Sequence, residues 1–144
     1  MDKNICRFSE GVVTLPSGYC ERTLNTLNDT RSILPTITIS RDSLGNHNSV
    51  EEYIDSQLSI LKSKMKEWLQ EPYELVVLGD NLTSGILINY SFLRPDKVRS
   101  YQKQAIFTLN MEDLLIFSVS KSSVLTNADN QCFTDTLKSF KTNL

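Results

Sequence analysis

The sequence predicts an α+β domain: an antiparallel β-sheet with two helices packed on it. Three observations carry this. Two segments place apolar residues at spacings of three and four. Several short runs show period-two alternation. Turn signals join many of those runs as hairpins rather than as βαβ crossovers.

Val13 and Leu15 close a first strand before the Pro16-Ser17-Gly18 turn. Thr23–Leu27 and Pro35–Arg41 read as the next two strands. Ser49 with Glu52 three residues later is a capping-box start. Val50, Tyr53, Ile54, Leu58, Leu61, Met65, Trp68 and Leu69 then keep a helical stripe, so a helix is predicted from Val50 to about Leu69, with Pro72 barring continuation. Leu75–Leu78 is a short apolar strand, and Ile86, Ile88, Tyr90 and Phe92 alternate along another. Arg94-Pro95-Asp96-Lys97 turns the chain, Arg99–Leu109 runs back, and Asn110–Asp113 leads into Leu114–Ser120. A second helix starts near Thr126 or Asn127 and ends near Lys141, with Phe133, Leu137 and Phe140 as its stripe. The predicted order is three strands, a helix, four strands and a helix. With no internal repeat or linker, residues 1–144 read as one domain.

Fifteen Lys and Arg against 17 Asp and Glu give a net charge of −2. Without a basic surplus, phosphate neutralisation has no source, so nucleic acid is not an expected partner. The three cysteines, Cys6, Cys20 and Cys132, are odd in number and widely spaced. They imply no disulfide framework and read as small buried hydrophobes in a reducing compartment. Met1–Arg7 has no apolar signal region, and no run reaches the roughly 18 residues of a membrane span. A soluble cytoplasmic protein that does not itself insert into membranes is expected.

Chemistry-bearing motifs are absent. The single histidine, His47, lies in the polar run Gly45-Asn46-His47-Asn48 and reads as a solvated loop residue. There is no CxxC pair, phosphate-binding glycine loop, HExxH or GxSxG. No metal or cofactor is expected, and the chain does not read as an enzyme.

Two amides stand out instead. On the first helix Gln57 falls about 60° from Ile54, on or beside the apolar stripe. In the strand after Arg99, Tyr101, Ala105, Phe107 and Leu109 share the face that suits the core. Gln102, Gln104, Ile106 and Thr108 share the other, which suits an amphiphilic partner better than bulk water. Each amide also fits an ordinary role: an edge-of-core glutamine, or one on a solvated sheet face.

The run Phe8-Ser9-Glu10-Gly11, then Leu15-Pro16, Gly18-Tyr19, Glu21-Arg22-Thr23 and Asn25 resembles the opening of the DcrB-related, Eag-type chaperones. Further matches fall at Ile39–Asp42, at Tyr53, Gln57, Leu58 and Leu61, at Tyr101–Gln104 with Phe107, at Phe117-Ser118, and at Phe133, Leu137 and Phe140. Tyr19, Glu21 and Thr23 depart mildly from the usual Trp, Asp and Ser. The resemblance implies a Mog1/PsbP-like fold and a homodimeric chaperone of type VI secretion. Such chaperones hold the N-terminal transmembrane segments of effectors, often Rhs or PAAR-containing toxins. By the same resemblance, the client-binding positions are Leu24, Thr26, Gln57 and Gln104. At Thr26 the family carries an apolar β-branched residue. A binding module of the same fold that is not a chaperone is the alternative.

Overall fold

The computed structural model describes residues 4–143. It bears out the α+β class and adds two strands to the seven expected. In chain order these are β1 (Ile5–Phe8), β2 (Gly11–Thr14), β3 (Leu24–Leu27), β4 (Ile37–Ser43), α1 (Val50–Lys64), β5 (Lys66–Gln70), β6 (Glu74–Leu78), β7 (Thr83–Leu93), β8 (Arg99–Thr108), β9 (Asp113–Lys121) and α2 (Asn127–Lys138). β1 and β2 form a separate hairpin. The other seven strands make one antiparallel sheet in the order β3-β4-β9-β8-β7-β5, with β6 also pairing β7.

Each face of this sheet is covered by one helix, so both faces are core. Under α2, Ala105, Phe107, Phe117 and Val119 pack with Phe133 and Leu137. Under α1, Ile88, Tyr90, Phe92, Ile106 and Leu114 pack with Tyr53, Ile54 and Leu58. This corrects the one-sided reading of β8. Ala105 and Phe107 are buried as expected, but Ile106 on the opposite face is 3% exposed, and Leu109, assigned to the core, is 49% exposed. An alternating strand cannot announce a second helix that closes over its other face.

The first helix also ends earlier than its apolar spacing predicts. Ser49 caps its start by accepting from the Glu52 N–H. At Met65 the backbone turns extended, and Met65, Trp68 and Leu69 leave the helix. Trp68 instead stacks on Tyr90, with ring centroids 4.9 Å apart, and on Phe92 at 6.0 Å. Burying three aromatic rings against the sheet outweighs one more helical turn.

α2 ends at Lys138 rather than near Lys141. Its start is a full capping box: the Asp129 N–H donates to Thr126 Oγ1, and the Thr126 N–H donates to Asp129 Oδ2. Lys121 Nζ donates to the same carboxylate oxygen at 2.8 Å. Burial alone would raise the Asp129 carboxyl. The Lys121 and Thr126 hydrogen bonds outweigh it and leave its pKa below the usual carboxylate value. A depressed folded pKa makes the carboxylate stabilising above its unfolded value, and that contribution drains away as pH falls through the folded one. Asp129→Asn is therefore expected to cost about 2 kcal/mol near neutral pH. The gap in melting temperature between the two proteins should close in acid; a gap independent of pH contradicts the assignment.

The cysteine reading is corrected at one position. Cys6 and Cys132 are half-buried, but Cys20 is exposed. His47 is less solvated than its loop suggests: its Nδ1 lies 3.6 Å from Glu52 Oε1, and its ring meets Tyr53 edge-on.

Candidate functional site

The four residues singled out from the sequence come from three distant segments, and strand register decides where they stand. Antiparallel partners point to the same side of a sheet. Leu24 pairs with Ser40, Ser40 with Ile116, and Ile116 with Ile106. One step along, Thr26 pairs with Thr38, Thr38 with Ser118, and Ser118 with Gln104. Two rows thus cross the sheet from β3 to β8 on one face. Ile106 belongs to the core beneath α1, so this is the α1 face. Leu24, Thr26 and Gln104 share it.

Gln57 reaches the same region from above. Gln57 and Gln104 both line a cleft of about 320 Å³ between α1 and the sheet. Ile54, Ile60, Leu61, Ile88, Ile106 and Ile116 supply much of its apolar wall, and Ser40 and Tyr90 add polar atoms. Among its described lining residues only Lys64 carries a charge. Gln57 is exposed, at the rim of the helical stripe, and Gln104 is half-buried. Among the described residues neither amide makes a side-chain hydrogen bond. Both are available to a partner.

Leu24 and Thr26 do not line that cleft. They continue the same sheet face outward onto β3, where Leu24 is 61% exposed. Beyond α1 the face therefore runs open across β9, β4 and β3, from half-buried Gln104, Ser118, Ile116, Thr38 and Ser40 to exposed Thr26 and Leu24. Threonine at 26 extends the hydroxyl row of Thr38 and Ser118, which makes this polar departure from the family's apolar residue consistent with its neighbours.

The end of the open face is pinned. Tyr53 Oη donates to Asp42 Oδ2 at 2.6 Å, and Arg22 Nη2 lies 3.6 Å from Asp42 Oδ1. Burial first, and then the Asp42 carboxylate, push the Tyr53 phenol above its ordinary pKa. Burial alone pushes Tyr90 up to about 12. Both phenols stay protonated at neutral pH. What the arrangement offers chemically is apolar surface to cover and neutral amides and hydroxyls to hydrogen-bond.

Sequence reasoning missed Ser40, Ile60, Ile88 and Ile116 as neighbours of the two glutamines. For Ser40, Ile88 and Ile116 the only signal was strand register, which the sequence does not print; Ile60 lies on α1, three residues beyond Gln57. Among the described residues, no three His, Cys, Asp or Glu side chains gather as a metal site, and no helix is long and apolar enough to cross a membrane.

The DcrB family model matches residues 10–139. This chain belongs to the DcrB family. Its fold is also similar to the crystal structure of PA94 from Pseudomonas aeruginosa, a protein of unknown function described as a candidate regulator. That similarity has a TM-score of 0.64 at 13% identity and covers 97% of this chain and 96% of PA94. At such identity the likeness shows a shared fold alone. No curated protein matches this DcrB-family chain in sequence.

Proposed function

We propose that this DcrB-family protein is a cytoplasmic chaperone and adaptor that shields the N-terminal transmembrane helices of a type VI secretion effector, of the Rhs or PAAR type, and aids its loading. The observation that carries this reading is the convergence on one sheet face: Leu24, Thr26 and Gln104 by register, with Gln57 across the cleft from Gln104. The resemblance names these four positions as one client-binding set, and their common face supports that reading. A homodimer is part of the proposal, and a Mog1/PsbP-like arrangement is compatible with the sheet and its two helices.

The physics suits such a client. A segment of ~20 apolar residues does not stay dispersed in water by itself. Covering its surface contributes about 25 cal/mol per Å². Leu24 and Ile116 on the open face, with Ile60, Leu61 and Ile88 along the cleft, offer apolar surface for that burial. The amides and hydroxyls beside them hydrogen-bond small polar side chains or exposed carbonyls, and so set register and orientation. Release follows from loading or assembly, since no nucleotide motif is present in the sequence.

Co-expression with the N-terminal segment of an effector tests the reading. The segment is expected to stay in the supernatant with this protein and to pellet without it. Equal solubility in both cases overturns the proposal. Tight capture of a folded partner lacking transmembrane helices would instead favour the binding-module alternative.

A further inference from the structure

The α2 side of the sheet carries a cleft that the client site does not use. It opens between the start of α2 and the strands β5 and β6, and holds about 510 Å³. β7 is its floor, and register sets its two walls. Lys103 of β8 pairs with Asn89 of β7, and on the far side of Asn89 the Glu71 N–H donates to the Asn89 carbonyl. Lys103 and Glu71 thus stand two strand spacings apart, roughly 9.5 Å between backbones. One row along, Glu74 pairs with Leu87 and Leu87 with Ala105, whose side chain belongs to the core beneath α2. Glu74 shares that face. One wall therefore carries a cation and the other two carboxylates.

Lys103 is half-buried, and its Nζ donates to Asn130 Oδ1 at 2.8 Å. An ammonium has three N–H donors, so two remain for a guest. Burial lowers the Lys103 pKa, and Glu74 and then Glu71 act against that through space. Among the described residues neither carboxylate forms an ion pair with Lys103 or with any other cation. Asn89 and Tyr101, which also line the cleft, make no side-chain hydrogen bond among those residues. Opposite charges that face each other across an open cleft favour a guest bearing both signs. A lone anion is repelled by Glu71 and Glu74, and a lone cation by Lys103. Exposed Leu69 and Val124, with half-buried Leu125, add apolar surface to the lining. We propose that this cleft binds a zwitterionic α-amino acid with an apolar side chain. Its carboxylate accepts from Lys103 Nζ and Asn130 Nδ2, its ammonium lies between Glu71 and Glu74, and its side chain covers Leu69, Val124 and Leu125. Hydrogen bonds between ionised partners are the strong kind, and here both ends of the guest make them.

The test is titration of the full chain with L-leucine and with L-phenylalanine, followed by amide chemical shifts. At least one of the two is expected to move the signals of Asn89, Lys103 and Asn130 and to reach half-saturation at or below about 1 mM. N-acetyl-L-leucine lacks the ammonium and L-leucinamide lacks the carboxylate, and each is expected to bind about tenfold more weakly or worse. Lys103→Met keeps most of the side-chain length and removes the charge. Glu71→Gln with Glu74→Gln removes both carboxylates at exposed positions, where the fold does not depend on them. Each variant, shown folded by circular dichroism, is expected to lose about tenfold in affinity or more. The double glutamine variant keeps the test decisive if Lys103→Met fails to fold. No half-saturation by about 1 mM with either amino acid overturns the proposal. So does a masked form that binds as tightly as its parent, a folded variant that binds as the wild type does, or shifts confined to the α1 face around Gln57 and Gln104. The cleft and Gln104 lie on opposite faces of the sheet, so this site and the chaperone reading fail separately.

Discussion

Gly85→Ala is expected to destabilise this protein by about 3 kcal/mol, a fall of roughly 10 °C in melting temperature. Gly85 sits in β7 opposite Phe107 of β8. A Cβ there would overlap the Ile106 carbonyl oxygen and lie 2.5 Å from the Phe107 ring. The first obstacle is backbone in the paired strand and cannot swing aside. The second is among the largest fully buried side chains, packed edge-to-face with Phe117 at 6.1 Å. Accommodation therefore means parting two central strands or expelling the ring from the core under α2. Thermal denaturation of the purified variant measures the effect. A loss below about 1 kcal/mol would mean that the strands part easily, against the close packing ascribed to this layer.

The second large effect concerns the site. Gln104→Lys is expected to weaken capture of an apolar client helix by about a hundredfold, because a charge on a half-buried position must be desolvated when the helix settles over it. Gln104→Leu is expected to cost less, about tenfold, since it removes hydrogen bonds but keeps the apolar contact. Gln57→Lys should fall between, as Gln57 is exposed at the cleft rim and a lysine there can keep its ammonium in water. Binding of a detergent-solubilised client segment, followed alongside circular dichroism of the free variants, measures the order. If Gln104→Lys stays folded and binds as well as the wild type, the client does not lie on the α1 face.

The helical stripes, the N-cap at Ser49 (though Glu52 reaches back to the Asn48 N–H rather than to Ser49), the cap near Thr126 and the alternation in β7 and β8 were legible, because each is a local pattern over a few residues. The amide at Gln57 was legible beside its stripe for the same reason. Less was visible where two segments competed for one partner. Met65, Trp68 and Leu69 keep helical spacing with the residues before them. Only the Tyr90 and Phe92 rings, more than twenty residues downstream, draw Trp68 into a strand. β1 was missed because it is short, and its alternation is broken by Arg7.

From the amino-acid order alone came the α+β class, both helices, much of the strand set and the amides Gln57 and Gln104, while the family resemblance added Leu24 and Thr26. Tertiary structure alone decided that both sheet faces are core, that Ile106 is buried beneath α1, and that Leu24, Thr26 and Gln104 look the same way with Gln57 above. The physical reason is range. Periodicity and capping are set by neighbours within about one turn or one strand. The face a residue presents to a distant segment depends on register, which shifts by one residue to turn every side chain over. Register here is set by the apolar packing of the two helices on opposite sides of a shared sheet.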